Sequence, residues 1–168
     1  MTSRKIMLLG DIGVGKSSIV QRLVFDRFNM VYKPTIGVDV YRYEVPASPG
    51  REAMSLIVWD TDGDLRDLIF RHVYMKAASA AMIVGDLTRR ETLDTMLHVA
   101  KSFRDELPGR HISFLLNKCD LLSAPDAAEI PKELGGDRRD VVRTSAKTGY
   151  NVQQAFIEAA DAILRRGH

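Results

Sequence analysis

The feature that most constrains this chain is the segment 10–17, Gly-Asp-Ile-Gly-Val-Gly-Lys-Ser, which follows the apolar run 6–9. Its glycines let the backbone curl so that successive N–H groups point inward, toward anionic phosphate oxygens. Lys16 adds a charge on a long side chain, and the Ser17 hydroxyl is placed to ligate magnesium. The spacing therefore predicts a strand, a phosphate-binding loop and a helix whose positive end faces the phosphates. The residues predicted to bind the nucleotide here are Asp11, Gly13, Val14, Gly15, Lys16, Ser17 and Ser18.

Length and charge limit the class of protein. The 168 residues fit a single domain over 1–168. The 24 basic and 22 acidic residues leave a net charge of +2, which argues against a dedicated nucleic-acid surface. We therefore expect no nucleic-acid partner.

Cysteine usage and the absence of targeting signals favour a reducing compartment. Cys119 is the only cysteine, so an internal disulfide is excluded. No apolar stretch approaches the length of a membrane span, and the polar opening is not typical of a secretory signal. Residue 2 is threonine and the last residues contain no cysteine, so neither myristoylation nor prenylation is available as written. We expect a cytoplasmic protein without a direct lipid anchor, brought to any membrane by a partner.

Strand and helix patterns alternate along the chain, which is typical of an α/β fold with a mainly parallel sheet. The turn-forming segment 46–50 between two strand patterns predicts an antiparallel hairpin. The predicted fold is a P-loop three-layer sandwich: a six-stranded, mostly parallel sheet with one antiparallel edge strand in the hairpin of strands 2 and 3, and about five helices on both faces. The predicted strands are 5–9, 38–45, 54–59, 80–84, 112–116 and 141–144; the predicted helices cover about 16–25, 93–107 and 152–163, and 123–137 is at best a short helix in a loop.

The loop after the third strand carries an acidic residue. Ligands gather at the carboxyl ends of strands in open α/β sheets, and Asp60 lies at such an end. There it can hold magnesium, usually through a water, opposite Ser17, while Gly63 can offer an N–H to a terminal phosphate. Taken alone, these residues are better explained by a solvated turn, because acidic residues at strand ends commonly form turns.

The loops after the fifth and sixth strands indicate which nucleotide base the chain binds. The Asp120 carboxylate can accept two hydrogen bonds from the N1–H and exocyclic amine of guanine, a donor pair that adenine lacks. Asn117 can tie this loop to the phosphate loop, and the Lys118 stem can pack over the base. The next loop, Ser145-Ala146-Lys147, can place the Ala146 N–H at the guanine oxygen.

With these motifs in order, the chain resembles a small GTPase of the Ras superfamily over almost its whole length. The segments Thr35-Ile36-Gly37-Val38-Asp39 and Trp59-Asp60-Thr61, and the run from Tyr74 to Thr88, are most similar to the Rab branch. The resemblance implies a switch that binds GTP or GDP with Mg²⁺, hydrolyses GTP, and is read by effectors, an exchange factor and an activating protein.

The resemblance also implies roles for single residues. It implies that Thr35 is a second protein ligand of magnesium and a sensor of the γ-phosphate, and that Tyr32 lies in the same loop. It also implies that Phe28 packs against the guanine edge. Residues about 30–39 and 61–76 become two switch segments, ordered by γ-phosphate contacts. The residues implied to act in hydrolysis are Lys16, Thr35, Gly63 and Asp64.

Three residues depart from the family pattern near the expected γ-phosphate. Ile12 replaces a small residue, Asp62 replaces the usual alanine, and Asp64 replaces the glutamine that orients the attacking water. A branched side chain at Ile12 would crowd that water and an arginine finger from an activating protein. We therefore hypothesise slow hydrolysis, with the alternative that Asp62 and Asp64 face solvent and alter little.

Two other functions remain open at this point. The first is a hydrolysis-impaired, constitutively nucleotide-loaded binding or scaffolding module, and the second is a phosphate-loop kinase or ATPase. Asp120 argues against the second, because adenine has no donor pair for this carboxylate.

Overall fold

A six-stranded sheet forms the centre of the computed structural model, which describes residues 1–31, 35, 37–61, 73–136 and 138–167. The strand order is β2-β3-β1-β4-β5-β6; β2 and β3 are antiparallel and all other neighbours are parallel. The predicted sheet, with its antiparallel pair at one edge, is confirmed. The strands are β1 (Thr2–Gly10), β2 (Val38–Val45), β3 (Met54–Thr61), β4 (Ala80–Asp86), β5 (His111–Asn117) and β6 (Val141–Arg143).

The parallel strands bring several loops to one edge of the sheet. In the ladders, Gly10 at the end of β1 pairs with Val84 of β4, and Leu8 pairs with Asp60 of β3. Asp86, at the end of β4, pairs with Asn117 of β5. The carboxyl ends of β1, β3, β4 and β5 therefore lie together at one edge, where an open α/β sheet binds its ligand.

Helices cover both faces of the sheet. Successive strand residues point to opposite faces, so Ile6 and Leu8 pack with α1 (Lys16–Phe25) and α3 (Val152–Arg165), whereas Met7 and Leu9 pack with α2 (Arg90–Glu106). The predicted three-layer arrangement is confirmed. None of the helices in the described ranges is long and apolar enough to cross a membrane.

The expected number of helices is wrong: the described residues contain three α-helices, not about five. The region after β5 forms only single 3₁₀ turns, at Cys119–Leu121, Pro125–Ala127 and Lys132–Leu134. Pro125 can begin a helical turn, but residues before Pro131 avoid the helical region and the glycines 135–136 follow the last turn, so a long helix does not form here. Residues 62–72, between β3 and β4, lie outside the described ranges.

Candidate nucleotide-binding site

The loop between β1 and α1 has the conformation that its glycines predict. Gly10 and Gly15 adopt positive φ angles of 140° and 102°. A Cβ atom at Gly10 would collide with the backbone carbonyl of Val84, and one at Gly15 would collide with the side-chain amide of Asn117. Glycine is therefore required at both positions by conformation and by space.

Lys16 lies under this loop. It is the first residue of α1, is only 6% exposed, and its ammonium donates to the carbonyl oxygens of Gly10 at 2.9 Å and Asp11 at 2.8 Å. The Asp11 carboxylate in turn accepts from the Ile12 N–H at 2.8 Å. A buried cation is thus held at the base of the loop.

Side chains from other loops bind three consecutive carbonyls of the phosphate loop. Arg89 donates to the Ile12 carbonyl at 3.1 Å, Lys118 to that of Gly13 at 2.8 Å, and Asn117 to that of Val14 at 2.9 Å. These contacts hold the carbonyl groups outward, so that the loop can present its N–H groups to an anion.

Three oxygen-bearing side chains meet beside Lys16. The Ser17 hydroxyl lies 2.6 Å from the Thr35 hydroxyl and donates to Asp60 Oδ2 at 2.5 Å. Asp60 is fully buried, and its Oδ1 has no hydrogen-bond partner among the described residues. The structure therefore brings together the three residues that the sequence analysis assigned to magnesium.

The chemistry of this oxygen corner fits a divalent cation. Burial raises the pKa of Asp60 to about 6, and the Ser17 hydrogen bond and the Lys16 charge offset only part of that effect. A buried carboxylate oxygen without a partner is costly unless a cation or donor reaches it. Hard oxygen ligands, two hydroxyls and a carboxylate, are those that Mg²⁺ prefers.

Asn117 joins the phosphate loop to the loop after β6. Besides its bond to Val14, its side-chain oxygen accepts from the Thr144 hydroxyl at 3.2 Å and from the Ala146 N–H at 3.3 Å. Asn117 is 1% exposed and Thr144 is fully buried. One buried amide therefore sets the position of two loops relative to each other.

The acidic residue of the predicted base loop is fixed on one side and open on the other. Asp120 is exposed at the surface, and its Oδ1 accepts from the buried Ser145 hydroxyl at 2.6 Å. Lys118, in a left-handed conformation with φ 63°, pairs with buried Asp86 at 2.9 Å. The carboxylate is thus oriented by the neighbouring loop, as bidentate base recognition requires.

Phe28 and Ala146 belong to one apolar cluster. Phe28 is half-buried and packs against the cluster formed with α1 and α3, which includes Ala146. Lys147 is exposed next to it, and Ser18 of α1 is half-buried. The backbone donor of Ala146 lies next to the Asp120 loop through the Ser145–Asp120 bond, which suits one edge of a planar base.

Comparison with known proteins identifies the family. The model of the Ras family matches residues 5–165. The chain belongs to the Ras family. Human Ras-related protein Rab-22A is 36% identical over 165 residues, covering 95% of this chain and 82% of that protein, and mouse Rab-31 is 36% identical over 158 residues, covering 90% and 78%. The Ypt/Rab-type GTPase YPT7 of Saccharomyces cerevisiae is 33% identical over 177 residues, covering 96% and 82%.

These similarities confirm the resemblance to the Rab branch of the Ras superfamily. This Ras family member is thus a GTP-binding small GTPase that acts as a regulatory switch. Membership in the family favours the guanine assignment over a phosphate-loop kinase or ATPase.

Some predicted site residues of this GTPase lie outside the described residues. They are Tyr32, Gly63 and Asp64, together with Asp62, whose departure from the family pattern the sequence analysis noted. Ile12, the third departure, is described: its side chain is 57% exposed on the surface of the phosphate loop.

Sequence reasoning missed three charged residues of this GTPase. Arg22 binds the loop 145–147, Arg89 binds the phosphate loop, and Asp86 pairs with Lys118. Asp86 had a usable signal, an acidic residue at the carboxyl end of a buried apolar strand. Arg22 lies within α1 and Arg89 lies just before α2, and neither belongs to a motif, so their contacts could be found only in the folded chain.

Proposed function

We propose that the site binds GTP or GDP together with Mg²⁺ and hydrolyses GTP slowly. The observation that carries the proposal is the buried oxygen corner of Ser17, Thr35 and Asp60, in which one carboxylate oxygen has no partner among the described residues. Such a corner next to a phosphate loop suits a nucleotide whose charge is partly neutralised by a divalent cation.

The phosphate groups would be held by the loop and by Lys16. The loop presents N–H groups because Arg89, Lys118 and Asn117 bind its carbonyls. Lys16, buried beneath the loop, would exchange carbonyl partners for phosphate oxygens, which form stronger, charge-assisted hydrogen bonds. When bound to Ser17, Thr35 and Asp60, Mg²⁺ would neutralise phosphate charge.

The base would be recognised by two loops. Asp120, oriented by Ser145, would accept from the N1–H and amine of guanine, and the Ala146 N–H would turn from Asn117 to the guanine oxygen. Lys118 and Phe28 would pack against the ring, and Lys147 would lie at its exposed side.

Signalling would use the two switch segments, about 30–39 and 61–76. Thr35 is the described switch residue that already reaches Ser17, so its position would report whether the γ-phosphate is present. Effectors, an exchange factor and an activating protein would read or change this state. We expect a protein partner to bring this GTPase to any membrane at which it acts.

The proposal of slow hydrolysis rests on residues near the expected position of the γ-phosphate. Ile12 exposes its branched side chain where an arginine from an activating protein would approach. In the sequence, Asp64 stands where the family has glutamine, and carboxylate charge near an anionic ligand is unfavourable. Lys16, Thr35, Gly63 and Asp64 are the residues proposed to act in hydrolysis.

A single-turnover measurement of γ-phosphate release tests this part of the proposal. Asp64→Gln should accelerate release, Asp62→Ala measures what the second aspartate of this segment contributes, and Ile12→Gly should restore sensitivity to an arginine-donating activating protein. Fast and equal release by wild type and Asp64→Gln would contradict slow hydrolysis.

The exposed Ile12 also favours a second candidate, a hydrolysis-impaired module that stays loaded with nucleotide. The nucleotide extracted from purified protein distinguishes the two functions. Mostly GDP supports the switch, whereas mostly GTP supports the loaded binding or scaffolding module.

A further inference from the structure

We propose that Arg22, near the end of α1, is the positioning residue that fixes the guanine-recognition loop 145–147. The inference rests on the proposed base site, and it adds a residue that touches neither the base nor the phosphates. Arg22 sets the contact between Ala146 and the guanine oxygen by holding the backbone that carries it.

Arg22 binds the loop through two parts of its guanidinium. Its Nε donates to the Ala146 carbonyl at 2.9 Å, and its Nη2 donates to the Lys147 carbonyl at 2.5 Å. The remaining Nη1 pairs with the Asp26 carboxylate at 2.9 Å. The planar guanidinium thus spans two successive carbonyls, a geometry that lysine cannot reproduce.

These contacts complete the restraint on Ala146. On one side, the Asn117 side chain accepts from the Ala146 N–H at 3.3 Å; on the other, Arg22 binds the Ala146 carbonyl. The residue is therefore held at both its backbone donor and its backbone acceptor. When the Ala146 N–H leaves the Asn117 side chain and donates to guanine, Arg22 still binds the Ala146 carbonyl and keeps the N–H oriented toward the base.

Burial makes the arginine contacts strong. The Arg22 side chain is 18% exposed, whereas that of Asp26 is 92% exposed. A Cβ at Gly149, just beyond the loop, would lie 3.4 Å from Arg22 Cδ, so the stem packs directly under the loop. Charge-assisted bonds in such surroundings are worth more than exposed ones, while the exposed Arg22–Asp26 pair contributes little.

Arg22 also connects the base loop to the phosphate end of the site. It lies six residues after Lys16 on the same helix, about 9 Å along the axis. The helix therefore fixes the base loop relative to the phosphate loop, and Arg22 is the attachment point.

The experiment compares GDP with 6-thio-GDP, which differs from GDP only in the atom that Ala146 is proposed to contact, since sulfur is a weak acceptor. In Arg22→Ala we expect GDP to dissociate about 10-fold faster and the preference for GDP over 6-thio-GDP to shrink by a similar factor. Arg22→Lys should give an intermediate result. Asp26→Asn, which removes only the exposed ion pair, should behave as wild type.

The outcomes separate the inference from the proposed function. If wild type does not prefer GDP over 6-thio-GDP, the proposed base site is wrong. If wild type shows the preference and Arg22→Ala or Arg22→Lys retains it in full, Arg22 does not position Ala146. An equal loss of affinity for both nucleotides also contradicts the inference, because it indicates general destabilisation; a thermal melt of each variant accompanies the measurement.

Discussion

Replacing Asp60 by asparagine should stabilise the cation-free protein and weaken the cation-bound one. In the structure, Asp60 is fully buried, one of its oxygens has no partner among the described residues, and burial raises its pKa from 3.8 to about 6. That rise is worth roughly 3 kcal/mol. Because the pKa is raised on folding, this cost to stability develops as the pH rises from about 4 and is fully present above about 6.

Asparagine removes the charge but introduces an amide NH₂ that needs its own partners, so part of the gain is lost. We expect Asp60→Asn to stabilise the nucleotide-free, chelator-treated protein by about 1–2 kcal/mol, which raises the melting temperature by about 2–8 °C. The gain should disappear near pH 4, where the wild-type carboxyl is protonated.

With GDP and excess Mg²⁺ the sign should reverse, because a neutral amide ligates Mg²⁺ more weakly than a carboxylate. The assay is thermal unfolding of both proteins with chelator and with Mg²⁺–GDP. Asp39→Asn is the comparison variant: Asp39 pairs with Asp60 across β2 and β3, is exposed, and helps to raise the pKa of Asp60, so its loss should slightly stabilise the cation-free protein and leave the stabilisation by Mg²⁺–GDP intact. A cation-free Asp60→Asn protein that melts below wild type would refute the reasoning.

Three further predictions use contacts elsewhere in the fold. Arg89→Ala should accelerate GTP dissociation several-fold, because it frees the Ile12 carbonyl, whereas Arg90→Ala removes the same charge and should not; equal off-rates would contradict the role of Arg89. Burial and Arg166 lower the pKa of His111 to about 4, so the wild type should lose stability as the pH falls from about 6.5 to 4. In urea unfolding, the free energy of unfolding of His111→Gln should depend less on pH over this range. Asp161→Ala should destabilise more than Arg51→Met, because it leaves the buried Arg51 guanidinium unpaired; urea unfolding with the reverse order would exclude this explanation.

The sequence predicts the elements well wherever a local pattern defines them. The bounds of β2 match the prediction, since alternating side chains and the following turn mark both ends. β1 begins at Thr2, three residues before the predicted start, because Thr2 and Ser3 are polar and are recruited by backbone pairing with β3. Backbone pairing leaves no trace in hydropathy, so strand ends of this kind are not predictable from the sequence.

The site residues also fall into those that a local pattern predicts and those that it does not. Ser17, Asp60 and Asn117 lie in short motifs at strand ends, and the sequence placed each of them in the site. The contact between Arg22 and Ala146 joins residues 124 positions apart, and neither the spacing nor the periodicity of α1 marks that arginine. Contacts between distant segments are decided by packing of the whole fold, which a local pattern does not contain.

The attachment of α1 at both ends of the site has a consequence for ligand size. Lys16 and Arg22 lie on the same helix, so the distance between them is fixed. The site therefore favours ligands in which the base and the phosphates are separated by a matching distance. A ligand that spans both ends binds them as one linked pair, and its second contact forms at high effective concentration. Guanosine or pyrophosphate alone reaches only one end of the site, so each should bind far more weakly than the whole nucleotide. A regulator that displaces either end of a bound nucleotide therefore weakens the grip on the other end as well.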